Sequence, residues 1–263
     1  QDKASFHAGA HETHEVVISR TRAVTDSVHA HCLPGADVVM TDGVTSTPLT
    51  YDAVADCYYS PVAGEVGKTY QMQVDFEGQH YEASATMPAA APVTSSEFSW
   101  VTMMGQRMLC FELWGVDPEP DVRNYFWIRM HRISHHPHLE NTRQTAPYSW
   151  DLMDDRGCPP GQIFLDWMLV SEKDMDDDKE ENWKRILYDG DSVCVTLMTV
   201  DPKVYDYLYQ LGRGQHHGAN PRSNITGGCM GYFAAGSITR SDTIVFNRAA
   251  VSEWKKMQKN RQE

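Results

Sequence analysis

The chain has 263 residues, and at about 150 residues per domain that length predicts two small domains or one large one. With 23 basic and 36 acidic side chains the formal net charge is −13, which argues against a binder of nucleic-acid backbones, since these need a clustered basic surface. A hydrophobic fraction of 41% is too high for intrinsic disorder, and no apolar run of about 18 residues is present to cross a bilayer as a helix.

Gln1 opens the chain with no charged and apolar leader before it, which predicts a start that has been processed or trimmed. From about Glu15 to Met87 short alternating segments with turn residues between them predict half-exposed antiparallel strands. The stretch Thr69 to Phe76 places Tyr70, Met72, Val74 and Phe76 on one face, and Glu77-Gly78 turns it into Tyr81 to Ala85 as a hairpin. Six or so such strands, punctuated by Pro34-Gly35, Asp42-Gly43 and Gly64 to Gly67, suit an immunoglobulin-like β-sandwich over residues 1–88. Pro88-Ala89-Ala90-Ala91-Pro92 then reads as a stiff connection, with the linker ending near residue 96.

Residues 97–263 read as a second β domain, a sandwich or barrel, because Met108 to Trp114, Tyr125 to Met130 and Ser192 to Met198 are rich in aromatic and β-branched residues. Two helices are expected in it. One runs over 202–211, with Asp201 as N-cap and Pro202 at the first position; the other over 249–259, where Val251, Trp254 and Met257 form a narrow apolar stripe.

Twelve histidines invite a metal reading. His131, His135, His136 and His138 could seed a divalent metal site, although polar loop positions explain them as well. His11-Glu12-Thr13-His14 is one residue short of the spacing that puts two rings on one face of a zinc-peptidase helix. Asp174, Asp176 and Asp178 fall at positions one, three and five of a calcium loop, yet Lys179 and Arg185 stand where an EF-hand needs Gly and Glu. A solvated charged loop is expected there instead. Six scattered cysteines contain no Cys-x-x-Cys pair, and their even number leaves a disulfide framework or free thiols open.

Gly190-Asp191-Ser192 reads as a turn at the head of a strand rather than a nucleophile block, and no Gly-x-Ser-x-Gly elbow or Gly-rich phosphate loop occurs. Seven tryptophans could include a sugar-stacking platform, though most lie in alternating strands and should be core. Asn224-Ile225-Thr226 matches a glycosylation sequon of eukaryotic secretory proteins. Gly227, Gly228 and Gly231 suit a tight turn or close backbone packing before the last strand.

The run Asn220 to Phe233 followed by Ala234-Ala235-Gly236-Ser237 resembles the closing signature of a family of Bacteroidetes cell-envelope lipoproteins, domain of unknown function 4249. Gly64 to Tyr70, Asn124-Tyr125-Phe126, Asp154-Asp155 with Gly161, and Gly190 to Val193 with Tyr205 to Leu208 resemble its other motifs in order, from about Val16 to Ser237. The resemblance implies an immunoglobulin-like first domain, a second β domain, and export as an outer-membrane lipoprotein through an N-terminal acylated Cys. It also implies a TonB-dependent outer-membrane receptor as partner. It carries over no catalytic residue. The expectation is therefore a non-enzymatic accessory or capture subunit without a cofactor, against two alternatives: a metal-binding envelope protein using its histidines, and a glycan-binding or glycan-processing surface protein.

Overall fold

The computed structural model describes residues 14–20, 31–60, 63–134, 136, 139, 149–217 and 220–253. The protein is mainly β, as its alternating sequence predicts. Its first unit contains β1 (His14–Val16), β2 (Asp37–Thr41), β3 (Ser46–Asp52), β4 (Cys57–Ser60), β5 (Thr69–Phe76) and β6 (Gln79–Thr86), in the sheet order β1-β4-β3-β2-β5-β6. The sheet curls at β3, whose Ser46 to Leu49 pair with β2 while Thr50 to Asp52 pair with β4. This fold-over lets Val16 and Tyr58 pack with Val38, Met40, Met72 and Val74 in one core.

The hairpin register read from the sequence is present. Tyr70 pairs with Ala85, Met72 with Ala83 and Val74 with Tyr81; of the four inward residues of β5, Tyr70, Met72 and Val74 are buried and Phe76 is partly buried. The turn holds Glu77 at φ 50° and Gly78 at φ 78°, the left-handed pair a two-residue hairpin requires.

The second unit stacks two antiparallel layers. One is built from β7 (Val93–Met103), β8 (Gln106–Val116) and β11 (Gln162–Ser171) in the order β11-β8-β7. The other places β9 (Tyr125–Ile133) between β10 (Ser149–Asp154) and β12 (Ser192–Val200). Leu109, Phe111 and Leu113 of the first layer meet Phe126, Ile128, Met130, Val193, Val195 and Leu197 of the second in one buried core. Each such side chain contributes about 1.5–3 kcal/mol on burial. The short helix α1 (Glu172–Met175) follows β11, capped by Ser171, whose Oγ accepts from the Asp174 amide at 3.1 Å.

The long helix α2 (Pro202–His217) lies on the outer face of the second layer and buries Val204, Tyr207 and Leu208 against Met198 and Val200. Asp201 caps it as expected, Oδ1 accepting from the amides of Lys203 at 2.8 Å and Val204 at 3.2 Å. It runs past the expected Leu211 to His217. After it come β13 (Ile225–Thr226), β14 (Ser237–Arg240) and β15 (Ile244–Val245), the last two pairing with β12, then a single 3-10 turn (Arg248–Ala250) and β16 (Ser252–Glu253).

Two expectations need correction. The described part of the segment read as a helix over 249–259 is not helical: Ala249 and Ala250 close the 3-10 turn, and Ser252–Glu253 pairs in parallel with β7. The turn is started by Asn247, whose side chain accepts from the Ala249 amide, and Val251 is already extended. Glu253 is then fixed by Arg107, so the edge of β7 outcompetes a helix supported by only a narrow stripe. Trp254 and Met257 lie outside the described residues. The stretch read as linker up to residue 96 is strand from Val93 onward, because residues 93–96 pair with β8 across a bulge. The remaining connection is stitched down, with the carbonyls of Pro88 and Ala91 accepting from Ser237 Oγ at 2.5 Å and Thr239 Oγ1 at 2.6 Å.

Candidate functional site

Several of the motifs singled out along the sequence converge at two places. At one end of the second unit Asn124 uses its side-chain amide to bind Asp117 Oδ1 (2.9 Å), the carbonyls of Glu119 and Val122, and Asp155 Oδ2, which also accepts from the Asn124 backbone at 2.7 Å. The Gly161 carbonyl accepts from Asp117 in the same knot. Next to it, Tyr125 and Tyr205 bring their ring centroids to 4.8 Å. Asp154 is held by Arg156, which keeps its carboxyl below the usual carboxylate range.

The other convergence joins the two units. The strand β13 pairs with β6, so the chain returns to the first sheet after completing most of the second unit. Asn224 clasps the loop that follows: Nδ2 donates to the Phe233 carbonyl and Oδ1 accepts from the Phe233 amide, both at 2.8 Å. Its amide is thereby committed to structure, whatever the sequon pattern suggests. Ser223 Oγ donates to the Gly231 carbonyl at 2.9 Å. Residues 231–237 are all buried, and an extended strip with period two explains which way they face. Phe233 and Ala235 enter the first core, whereas Tyr232 and Ala234 enter the cluster under α2.

Two glycines permit this. A Cβ on Gly227, at φ +96°, would overlap the His80 carbonyl and lie 2.8 Å from Tyr81 Cδ1. A Cβ on Gly236 would overlap the Met198 side chain and lie 2.9 Å from the Thr199 carbonyl. Gly228, at φ +89°, faces open space, so only its backbone conformation favours glycine.

Beside this joint, between the outer face of β5 and β6 and the first turn of α2, lies a polar cleft of about 300 Å³. Gln71, Gln73, Glu82, Ser84, Lys203 and Thr226 line it. His80 sits near its rim with Nδ1 at 2.8 Å from Asp75 and Nε2 at 3.1 Å from Glu82. The hydrogen bond to Asp75 chiefly, then that to Glu82, raises the imidazole pKa above its ordinary value, and His80 in turn lowers that of Glu82. Amides, hydroxyls, one ammonium and one carboxylate equip the cleft to hold a polar ligand by hydrogen bonds.

Of the histidines in the metal reading, His131 and His136 are described. His131 lies on β9 opposite Cys194 of β12. His136 stacks on Tyr188 at 4.0 Å and comes within 3.8 Å of Asp178. His135 and His138 lie outside the described residues. Among the described residues no three His, Cys, Asp or Glu side chains are grouped to hold a metal ion. The acidic stretch is largely answered by cations: Arg248 binds Asp176 at 2.7 Å, Lys179 binds Asp177 at 2.9 Å, and Arg185 stands 3.8 Å from Asp174. Gly190-Asp191 forms a turn in which the buried Asp191 carboxylate accepts from Ser134 Oγ (2.7 Å) and the Tyr188 amide (3.1 Å). No disulfide joins any of the six cysteines, and burial pushes the Cys110 thiol up to about 12.

Sequence reasoning missed a row of acids across the outer layer, Glu97 on β7, Glu112 on β8 and Asp166 on β11, directly opposed in register. Glu112 is buried and takes a short hydrogen bond from Ser99; burial, with Glu97 and Asp166 alongside, raises its pKa. Its position between two like charges could be found only from strand register.

These features define a two-unit β protein whose units share a single closing segment. A family model described as a domain of unknown function (DUF4249) matches residues 3–242, and the chain belongs to that family. No curated protein matches it. Among the described residues no helix is long and apolar enough to cross a membrane.

Proposed function

We propose that this protein is a non-enzymatic cell-envelope lipoprotein that serves a TonB-dependent outer-membrane receptor as accessory or capture subunit. The observation that carries this reading is the use made of the closing segment. Asn224, Ser223, Gly227 and Gly236 are all spent on clamping two β units together, so the segment that most resembles the family maintains a shape rather than a reacting centre. A rigid pair of units with a polar cleft at their joint suits holding a ligand and presenting it to a partner. The lipid anchor and the receptor come from the family resemblance.

Isolation of the native membrane-anchored protein in mild detergent, with mass spectrometry of what accompanies it, tests the reading. Stoichiometric recovery of one outer-membrane receptor is expected, and that receptor's substrate then names the ligand. Recovery of the protein alone, under conditions that keep known receptor complexes intact, would overturn the accessory role.

A further inference from the structure

Strand register gives the polar cleft at the joint an ordered floor. Gln73, Glu82 and Thr226 stand side by side on three neighbouring strands, and Gln71 stands beside Ser84 in the next row of the same outer face. Lys203, in the first turn of α2, lines the cleft from the second unit.

The cleft holds two opposite charges that do not neutralise each other. His80 chiefly, then Gln73, keeps the Glu82 carboxyl below the usual carboxylate range, and both act on one of its oxygens. That oxygen, Oε1, lies 3.1 Å from His80 Nε2 and accepts from Gln73 Nε2 at 3.2 Å. Among the described residues Oε2 has no partner, and the Lys203 ammonium pairs neither with Glu82 nor with any other carboxylate. The side chains of Gln71 and Ser84 and the carboxamide oxygen of Gln73 are uncommitted in the same sense.

We propose that this cleft binds a short zwitterionic peptide, about two or three residues long, with its carboxylate on Lys203, its ammonium on Glu82 and its amides against Gln71 and Gln73. A neutral ligand would strip water from both ions and return no charge, and a ligand with one charge would satisfy one ion and strand the other. A net charge of −13 further disfavours a purely anionic ligand. Carboxamides both donate and accept, which matches the N–H and C=O of a peptide group; a single amino acid has no such group to offer them. The volume of about 300 Å³ sits at the small end of ligand sites, whereas a folded partner would need a broad face of roughly 800 Å². As the class of ligand captured, the peptide rests on the capture reading above; as a binding site the cleft does not.

The purified chain is titrated calorimetrically with trialanine, N-acetyl-trialanine, trialanine amide and alanine. Saturable submillimolar binding of trialanine is expected, with alanine weaker. Blocking either end should weaken trialanine about tenfold, equivalent to about 1.4 kcal/mol. Lys203→Met should bind trialanine and its amide alike while still preferring the free amino end, and Glu82→Gln should show the converse. Both side chains are exposed, so unchanged urea midpoints are expected and separate these losses from unfolding. Absence of saturable trialanine binding, indifference to both blocked ends, alanine bound as tightly as trialanine, or preferences that neither variant alters would each overturn the proposal. A receptor recovered with no peptide bound by the chain removes the peptide site alone. Peptide binding with no receptor recovered removes the accessory role alone.

Discussion

Gly227→Ala tests whether the closing segment clamps the two units. At φ +96° an L side chain costs about 1–2 kcal/mol from backbone strain alone. The new Cβ would also overlap the His80 carbonyl and crowd Tyr81, both parts of β6 and so unable to swing aside, which adds roughly 1–3 kcal/mol. The sum, about 2–5 kcal/mol, is a large share of the roughly 5–15 kcal/mol that usually holds a fold. Gly228→Ala is the control, because its φ is also left-handed but its Cβ meets nothing within 4 Å; it should cost only about 1–2 kcal/mol. Urea unfolding should be followed by far-UV circular dichroism and by tryptophan fluorescence. Every tryptophan lies at position 100 or beyond, so fluorescence reports the second unit although the substitution presses on the first. A clamp predicts that both signals lose midpoint together in Gly227→Ala. Equal costs at 227 and 228 would refute the close approach, and a shift in dichroism with fluorescence unmoved would refute the coupling.

Asn224→Ala removes two hydrogen bonds to the Phe233 backbone and should cost about 1–3 kcal/mol in the same assay, with Asn224→Asp, which keeps only the acceptor, in between. Glu112 has its pKa raised in the folded state, so its favourable contribution is complete below the unfolded carboxylate value and is lost as pH rises through the folded one. Glu112→Gln, which keeps an acceptor for Ser99, should therefore stabilise the protein on the order of 1 kcal/mol at pH 8 and change little at pH 4; equal effects at both pH values would contradict the buried charge. His80 should titrate above the ordinary histidine range by NMR, so its pairing is complete at low pH and is lost as pH rises through that value; Asp75→Asn should lower it more than Glu82→Gln does.

Local periodicity made the strands legible. Tyr70, Met72 and Val74 alternate with polar residues and are buried as read, and Asp201-Pro202 announces α2 because an acceptor followed by a residue without an amide hydrogen suits a helix start. The same signals fail where pairing is distant. Val251 and Trp254 fit one helical face, yet Ser252–Glu253 has a strand edge and Arg107 waiting 146 residues upstream, which no local pattern reveals. The seat of α2 was equally hidden: Tyr125 and Tyr205 come from two elements, and only the placement of α2 on the second layer puts them together. Most of the remaining aromatic-rich strand residues were legible as core because strand alternation buries them.

The closing segment shows why a recognisable sequence need not mark a reacting centre. An extended strip buried on one face only can vary on its other face, but residues 231–237 are buried throughout, with Phe233 and Ala235 in one core and Tyr232 and Ala234 in the other. Each position must therefore satisfy a packing constraint, and Gly227 and Gly236 add contacts that any side chain would violate. Such a segment is distinctive for reasons of volume and backbone conformation, without chemistry of its own. Binding specificity is then free to reside on surfaces the clamp positions but does not occupy. The start of α2 borders such a surface, since Lys203 lines the polar cleft. A segment-swapped chimera that keeps residues 220–237 and replaces the exposed side chains of α2 should thus fold with an unchanged unfolding midpoint while its ligand preference changes; a lowered midpoint with preference intact would reverse that assignment.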